Sequence, residues 1–179
     1  LIEGHNVAHA VTFTLGLGSL ETVVMYPAIA LLYAVLYDRS ILRRVTPVFA
    51  IALAFIAIHF LVAPPASSGP YALRFDSRIL QTFSAYSEIV LGPERLMHFH
   101  WTWPAWLLLV GTAIMAAATL ACAWLAGRAG LFGLAWFVLL LIPLLPLPDH
   151  VIDYALTGPA IGLAIVFAGA LVQVRHAAL

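Results

Sequence analysis

Ionisable side chains are few in this chain, and several of them interrupt long apolar runs. Asp149, His150 and Asp153 lie in the segment LPLPDHVIDY, directly before an uncharged apolar stretch. Glu21 interrupts a second apolar region. Charged groups near hydrocarbon are costly unless they meet a partner, water or a polar ligand. We therefore expect these side chains either to form specific pairs or to contribute to a binding site.

The histidines could ligate a metal or a haem, but their pattern argues against both. His5 and His9 are spaced i, i+4, which suits a ligand pair on one helix face. No HExxH motif, cysteine pair or regularly spaced acidic ligand accompanies them. His98 and His100 would diverge on a helix, and a membrane haem needs facing histidines at matched depth, where the chain offers only His59. We expect no metal site and no cofactor in this chain, and hydrogen bonding or phosphate contact as the role of its histidines.

The elements that carry these side chains must lie in a bilayer. The chain has 179 residues, of which 64% are hydrophobic and 9% are charged, whereas a soluble domain has about 25% charged residues. So apolar a chain cannot cover itself with polar surface, and we expect an integral membrane protein in contact with membrane lipid. The formal net charge is zero, so nucleic acid is not an expected partner.

Apolar runs of about 20 residues predict membrane-spanning helices. The clearest are residues 45–63, 104–126, 131–147 and 157–174. Residues 9–37 would form a helix of about 44 Å at 1.5 Å per residue, which is too long for one span. We therefore expect two helices here, divided near Leu20 with Glu21 at the turn, and with Pro27 early in the second. The prediction is a single transmembrane domain over residues 1–179, an all-α polytopic bundle of five to six spans.

Arginine placement orients the predicted bundle. If the spans alternate, the segment DRSILRR (residues 38–44), Arg128 and Arg175 share one side, and basic density in short loops marks the cytoplasm. The loops 64–103 and 146–156 are then external, as is Glu21, and we expect a bacterial inner membrane.

The long external loop contains its own helix signal. Asp76 or Ser77 can cap a helix that ends at Gly92, where Pro93 follows. Apolar and polar residues separate onto two faces of this segment. The pattern predicts an amphipathic helix lying on the outer membrane surface.

Three segments resemble C-type (GT-C) membrane glycosyltransferases. SLETVVMYPAIALLYAVL is similar to a family segment in which a helix ends in Lys-Glu and an apolar helix with an early proline follows. FGLAWFVLLLIPLLPLPDHVIDYALTGPAIGLAIVFAGAL resembles a later segment with a Leu-Pro-rich helix end, an external loop with an Arg-Tyr pair and one more helix. GPYALRFDSRILQTFSAYSEIVLGP is similar to the family's external loop with a short helix. The resemblance covers about residues 17–170.

Single positions carry the resemblance and also mark departures from it. Glu21 matches the glutamate of the Lys-Glu pair, and Tyr154 matches the tyrosine of the Arg-Tyr pair. The remaining matches are Pro27, Pro159, Ile161 and Gly162. Leu20 stands in place of the lysine and Asp153 in place of the arginine.

The resemblance implies transfer of a sugar from a polyprenyl-phosphate-linked donor on the external face. Family members use a catalytic carboxylate in a first external loop that this chain lacks, so we expect either the C-terminal part of a larger enzyme or a diverged relative of the family. Its catalytic residues are unknown. A full-length enzyme could use a divalent metal, but no ligand set for one is visible in this sequence. The expected substrate-binding residues are Glu21, Tyr71, Arg74, Arg95, His150, Asp153 and Tyr154.

The chemistry of these side chains suggests which part of a lipid-linked substrate each of them would contact. A lipid-linked substrate needs an apolar groove for its tail and cations for its phosphate. Arg74, Arg95 and His150 could meet the phosphate, while Glu21 and Asp153 could meet the sugar or orient those cations. In the alternative interpretation, His150 and Asp153 simply pair with loop arginines.

A non-enzymatic function is equally compatible with the helices. Small residues in AIMAAATLACAWLAG and GPAIGLAIVFAGAL permit close helix packing. Such packing would also suit a structural or assembly subunit of a membrane complex.

Overall fold

The computed structural model describes residues 6–19, 21–92 and 104–177. Seven α-helices lie in these ranges, and the described residues contain no strand. They divide into two compact units, Leu1–Ala66 and Ser67–Leu179. The predicted all-α class is confirmed.

The described part of the first unit contains three α-helices. They are α1 (Asn6–Ser19), α2 (Tyr26–Leu36) and α3 (Leu42–Val62), with short 3-10 helices at Glu21–Met25 and Arg39–Ile41. The predicted division of the first apolar region is confirmed, because α1 ends at Ser19 and a 3-10 helix begins at Glu21. Pro27 lies in the first turn of α2, where a missing backbone N–H costs nothing.

Two small apolar clusters hold the first unit together. Phe13 and Leu17 of α1 pack with Val48 and Ala52 of α3. A second cluster joins α2 to the start of α3 through Ala30, Ala34, Ile41 and Val45. The imidazole Nε2 of His9 lies 2.8 Å from the Tyr26 hydroxyl, so this histidine is engaged inside the unit.

The second unit consists of α4 (Arg78–Leu91), α5 (Ala105–Ala126), α6 (Arg128–Leu141) and α7 (Thr157–Ala177). Short 3-10 helices at Ile142–Leu144 and Asp153–Leu156 lie between α6 and α7. Gly127 has a φ of 60°, which lets the chain reverse between α5 and α6. Gly169 of α7 lies against Ala126 near this reversal, and Gly158 accepts a hydrogen bond from Trp136 near the other end. Helices α6 and α7 are therefore antiparallel.

The core of the second unit lies between α4, α6 and α7. Tyr86, Phe137, Leu141, Leu156 and Leu163 are buried together. Phe83 and Val90 of α4 pack against this cluster, so the apolar face of α4 is directed at the bundle. The position of α4 at a membrane surface stays a prediction.

Within the described ranges, three helices are long and apolar enough to cross a membrane, which is consistent with an integral membrane protein. They are Arg39–Val62, Trp106–Ala126 and Asp153–His176. The other predicted spans correspond to the shorter apolar helices Val7–Leu17, Val23–Leu36 and Arg128–Leu144. A count of five to six crossings, like the orientation of the loops, stays a prediction.

Candidate functional site

Two connecting segments meet at one end of the α6–α7 pair. The backbone N–H of Arg74 donates to the carbonyl of Pro146 at 2.8 Å. The ring centroids of Tyr71 and His150 are 4.4 Å apart, with the planes inclined by 41°. These two contacts hold the segment before α4 (residues 71–74) against the segment before α7 (residues 146–150). This junction contains three of the predicted site residues, Tyr71, Arg74 and His150.

Helix α4 supports this junction from inside the unit. Tyr86 is fully buried, and its hydroxyl lies 3.5 Å from the carbonyl of His150. Burial raises the pKa of Tyr86, with the nearby Tyr154 acting in the same direction and a backbone hydrogen bond from Ile152 opposing them. The phenol therefore stays neutral and serves as a fixed support for the chain around His150.

The side chain of Arg74 contains a buried polar atom that forms no hydrogen bond within the described residues. Its side chain is partly buried, and its Nε is a buried donor with no hydrogen-bond partner in the described part of the chain. The one other such atom in the described ranges is Oγ1 of Thr112, on α5. An unsatisfied buried donor costs about 1–3 kcal/mol, and more when it is charged. A ligand oxygen that accepted from Nε would remove this cost.

An ion pair lies beside Arg74. The guanidinium of Arg78 binds the Asp76 carboxylate through Nε at 3.1 Å and through Nη2 at 2.7 Å. These hydrogen bonds, together with one from the backbone N–H of Arg78, lower the pKa of Asp76 to about 2. The carboxylate also accepts that N–H in the first turn of α4. The same pair raises the pKa of Arg78, and the charge of Asp149 adds to the effect.

The charged side chains at this end of the bundle differ in whether they form an ion pair. Asp76 is held by Arg78, whose guanidinium also feels the charge of Asp149. Arg74 contributes only a minor charge effect on Asp76, and the described residues show no ion pair for it. The junction can accept an anion at Arg74 without first breaking an ion pair.

The remaining predicted site residues have different surroundings. Asp153 and Tyr154 begin the 3-10 helix before α7 and are exposed. Neither His150 nor Asp153 forms an ion pair with a loop arginine within the described ranges. The backbone of Glu21 belongs to the first unit, while its side chain and the whole of Arg95 lie outside the described residues.

Sequence reasoning missed two contributors to the junction. Tyr86 fits the apolar face of the loop helix, and that pattern gives no sign that its hydroxyl lies near the His150 carbonyl, although a buried tyrosine hydroxyl needs a partner. Asp76 was considered as a cap, but its two-point bond to Arg78 was not expected. The i, i+2 spacing of an acid and an arginine at a helix start was the available signal.

Grooves at the opposite end of the bundle do not contain predicted site residues. One is lined by apolar residues of α5 and α6 around Gly127, and another by α5, α6 and α7 around Gly169. No group of three or more histidine, cysteine or acidic side chains is arranged to hold a metal ion among the residues that the structure describes.

Comparison of this chain with protein-family models, with curated proteins and with solved structures found no match.

Proposed function

We propose that this chain is the membrane-embedded, substrate-binding part of a glycosyltransferase that takes its sugar from a polyprenyl-phosphate-linked donor on the external face. The observation that supports this proposal best is the buried, unpartnered Nε of Arg74, on a segment whose backbone bonds to Pro146 and whose Tyr71 contacts His150. The resemblance of the flanking segments to GT-C enzymes supplies the reaction class.

The chemistry of the junction suits a phosphate that is carried on a lipid. Phosphate oxygens accept strong, charge-assisted hydrogen bonds from guanidinium groups. The imidazole of His150 would offer a second donor, and Tyr71 limits its motion by ring contact. The polyprenyl tail would extend along apolar helix surface, such as the exposed side chains of Ile161 and Ile142.

Other parts of the larger enzyme would complete the reaction. In the GT-C enzymes that this chain resembles, the catalytic carboxylate lies in a first external loop, and in this proposal another part of the enzyme would supply it. Asp153 and Tyr154 are exposed on the turn next to His150, where they could contact the sugar. The chain itself would bind and orient the donor.

Binding of a polyprenyl monophosphate to the purified chain in detergent tests this proposal. Replacing Arg74 with glutamine should weaken binding about ten- to a hundredfold, because a hydrogen bond to a charged group contributes about 1.5–3 kcal/mol. Arg128→Gln is the matched control, since this exposed arginine begins α6 at the opposite end of the bundle. Equal affinities of wild type and Arg74→Gln would contradict a phosphate site at Arg74.

A structural or assembly subunit is the second candidate, and it is favoured by how little the long helices are covered. Within the apolar windows of Trp106–Ala126 and Arg39–Val62, 11% and 17% of residues are buried, against 33% for Asp153–His176. Partner helices would cover these surfaces as well as lipid does. Under this alternative the chain would copurify from membranes in a complex of fixed composition, and Arg74→Gln would leave that complex intact.

A further inference from the structure

The connection between α2 and α3 concentrates positive charge at the end of a long apolar helix. Tyr37 to Arg44 include three arginines and one aspartate, Asp38. The apolar helix Arg39–Val62, which is long enough to cross a membrane, begins within this connection. Any bilayer that this helix crosses therefore has the connection near one of its surfaces.

The single acid of the connection is already engaged. Oδ1 of Asp38 accepts the backbone N–H of Ser40 at 2.9 Å and caps the 3-10 helix Arg39–Ile41. Bonding from Ser40 lowers the pKa of Asp38, and the charge of Arg44 contributes to a smaller extent. Arg39 and Arg43 are exposed, and the described residues show no ion pair for either of them.

Packing holds these arginines in a fixed arrangement. Ile41 and Val45 are buried with Ala34 of α2, so the connection cannot move freely. The rings of Tyr33, in the last turn of α2, and Tyr37, which follows the helix, lie 5.1 Å apart, and both side chains are partly exposed. Tyrosines of this kind are enriched at the level of lipid headgroups.

We infer that the connection Tyr37–Arg44 is a binding surface for anionic phospholipid headgroups, with Arg39 and Arg43 as its principal contacts. Exposed arginines at a bilayer surface attract anionic lipid. The buried residues Ile41 and Val45 keep the two guanidinium groups on a rigid hairpin, and the tyrosine pair sets its depth. The surface lies wholly in the first unit and does not depend on the phosphate site at Arg74.

Native mass spectrometry of the intact chain, titrated with phosphatidylglycerol or with phosphatidylcholine, tests this surface. The wild type should bind phosphatidylglycerol more tightly than phosphatidylcholine. Arg39→Gln with Arg43→Gln should weaken phosphatidylglycerol binding about 25-fold, which is about fivefold for each arginine at about 1 kcal/mol. The double lysine variant at the same positions should keep most of the affinity, because it keeps both charges.

Two further variants separate a specific surface from a general effect of charge. Arg128→Gln with Arg175→Gln removes the same charge from the second unit and should weaken the binding less than the Arg39 and Arg43 pair does. Asp38→Asn keeps a capping side chain but removes the negative charge, so it should tighten phosphatidylglycerol binding. That variant tests the surface even if the glutamine pair fails to fold.

Three results would overturn the inference. The first is equal affinity for the two lipids, and the second is an equal loss of binding in the Arg128 and Arg175 control. The third is displacement of phosphatidylglycerol by an equal concentration of inorganic phosphate, which would mean that the arginines bind free anions instead of lipid.

Discussion

Gly133 on α6 and Gly162 on α7 face each other where the two helices cross, and the backbone oxygen of each occupies the space that a side chain on the other would need. Trp136 fixes the same crossing by donating its indole N–H to the Gly158 carbonyl at 3.0 Å. Small residues that let two backbones approach are typical of helix association in membranes.

The crossing makes a specific prediction about two neighbouring glycines. Gly162→Ala should lower the free energy of unfolding by about 1–3 kcal/mol, because an added methyl group in a well-packed contact forces the helices apart. Gly158→Ala is the matched control on the same helix, since its added Cβ would meet only Leu140 Cδ1, at 3.4 Å. Thermal unfolding in detergent measures both. Equal stability of the two variants would show that α6 and α7 do not cross at Gly162.

Tyr86 should be the most important side chain of α4 for stability. Its ring is fully buried among Leu141, Leu156 and Phe137. Tyr86→Ala should reduce the free energy of unfolding by about 3–5 kcal/mol, as is usual for truncation of a buried aromatic side chain. Tyr154→Ala, at a tyrosine that is 72% exposed, should change it little. Denaturant titration compares them, and a similar loss in both would contradict the packing of α4 on the bundle.

The ion pair between Asp76 and Arg78 at the start of α4 predicts a lowered pKa for the Asp76 carboxyl. Bonding to Arg78 lowers the pKa of Asp76 from 3.8 to about 2. The pKa of Asp76 is lower in the folded than in the unfolded chain. The ion pair therefore adds its full contribution to the free energy of unfolding above pH 3.8, and this contribution is lost as the pH falls through about 2. A carbon-13 NMR titration of the Asp76 carboxyl should show this inflection. Arg78→Gln should return the pKa toward 3.8, and an unchanged titration would mean that the pair does not form.

Cysteine labelling tests the predicted orientation. In a Cys122→Ala background, cysteines at Ser68 and Ser40 should react from opposite sides of the membrane, with Ser68 accessible from outside. Both serines are exposed, so access of the reagent depends on sidedness and not on burial. Reaction of both from the same side would contradict the alternation of spans inferred from the arginines.

Local signals in the sequence accounted for several helix boundaries. The division after Ser19 follows from a charged residue and glycines in an apolar run, and Pro27 suits the first turn of α2. Asp76 and Gly92 hold the signals that begin and end α4. Each of these signals acts within about one helical turn, so it can be recognised from the sequence alone.

Contacts between distant segments could not be obtained in this way. The Arg74–Pro146 hydrogen bond joins residues 72 positions apart, and the meeting of Gly133 with Gly162 depends on the crossing of two helices. Residue spacing cannot show which glycine of an apolar helix faces a partner. The predicted topology places all seven expected site residues on the external side, Tyr71, Arg74 and His150 among them, but the buried, unpartnered Nε of Arg74 depends on packing that no local pattern specifies.

The most direct test of the phosphate site is the nitrogen-15 NMR signal of the Arg74 Nε–H, assigned by its loss in Arg74→Gln. Addition of a polyprenyl monophosphate to the chain in detergent should move this signal downfield, as its buried donor gains a phosphate acceptor. A polyprenol of the same length, which lacks the phosphate, should leave the signal in place. No movement at saturating polyprenyl monophosphate, or the same movement with the polyprenol, would contradict the account.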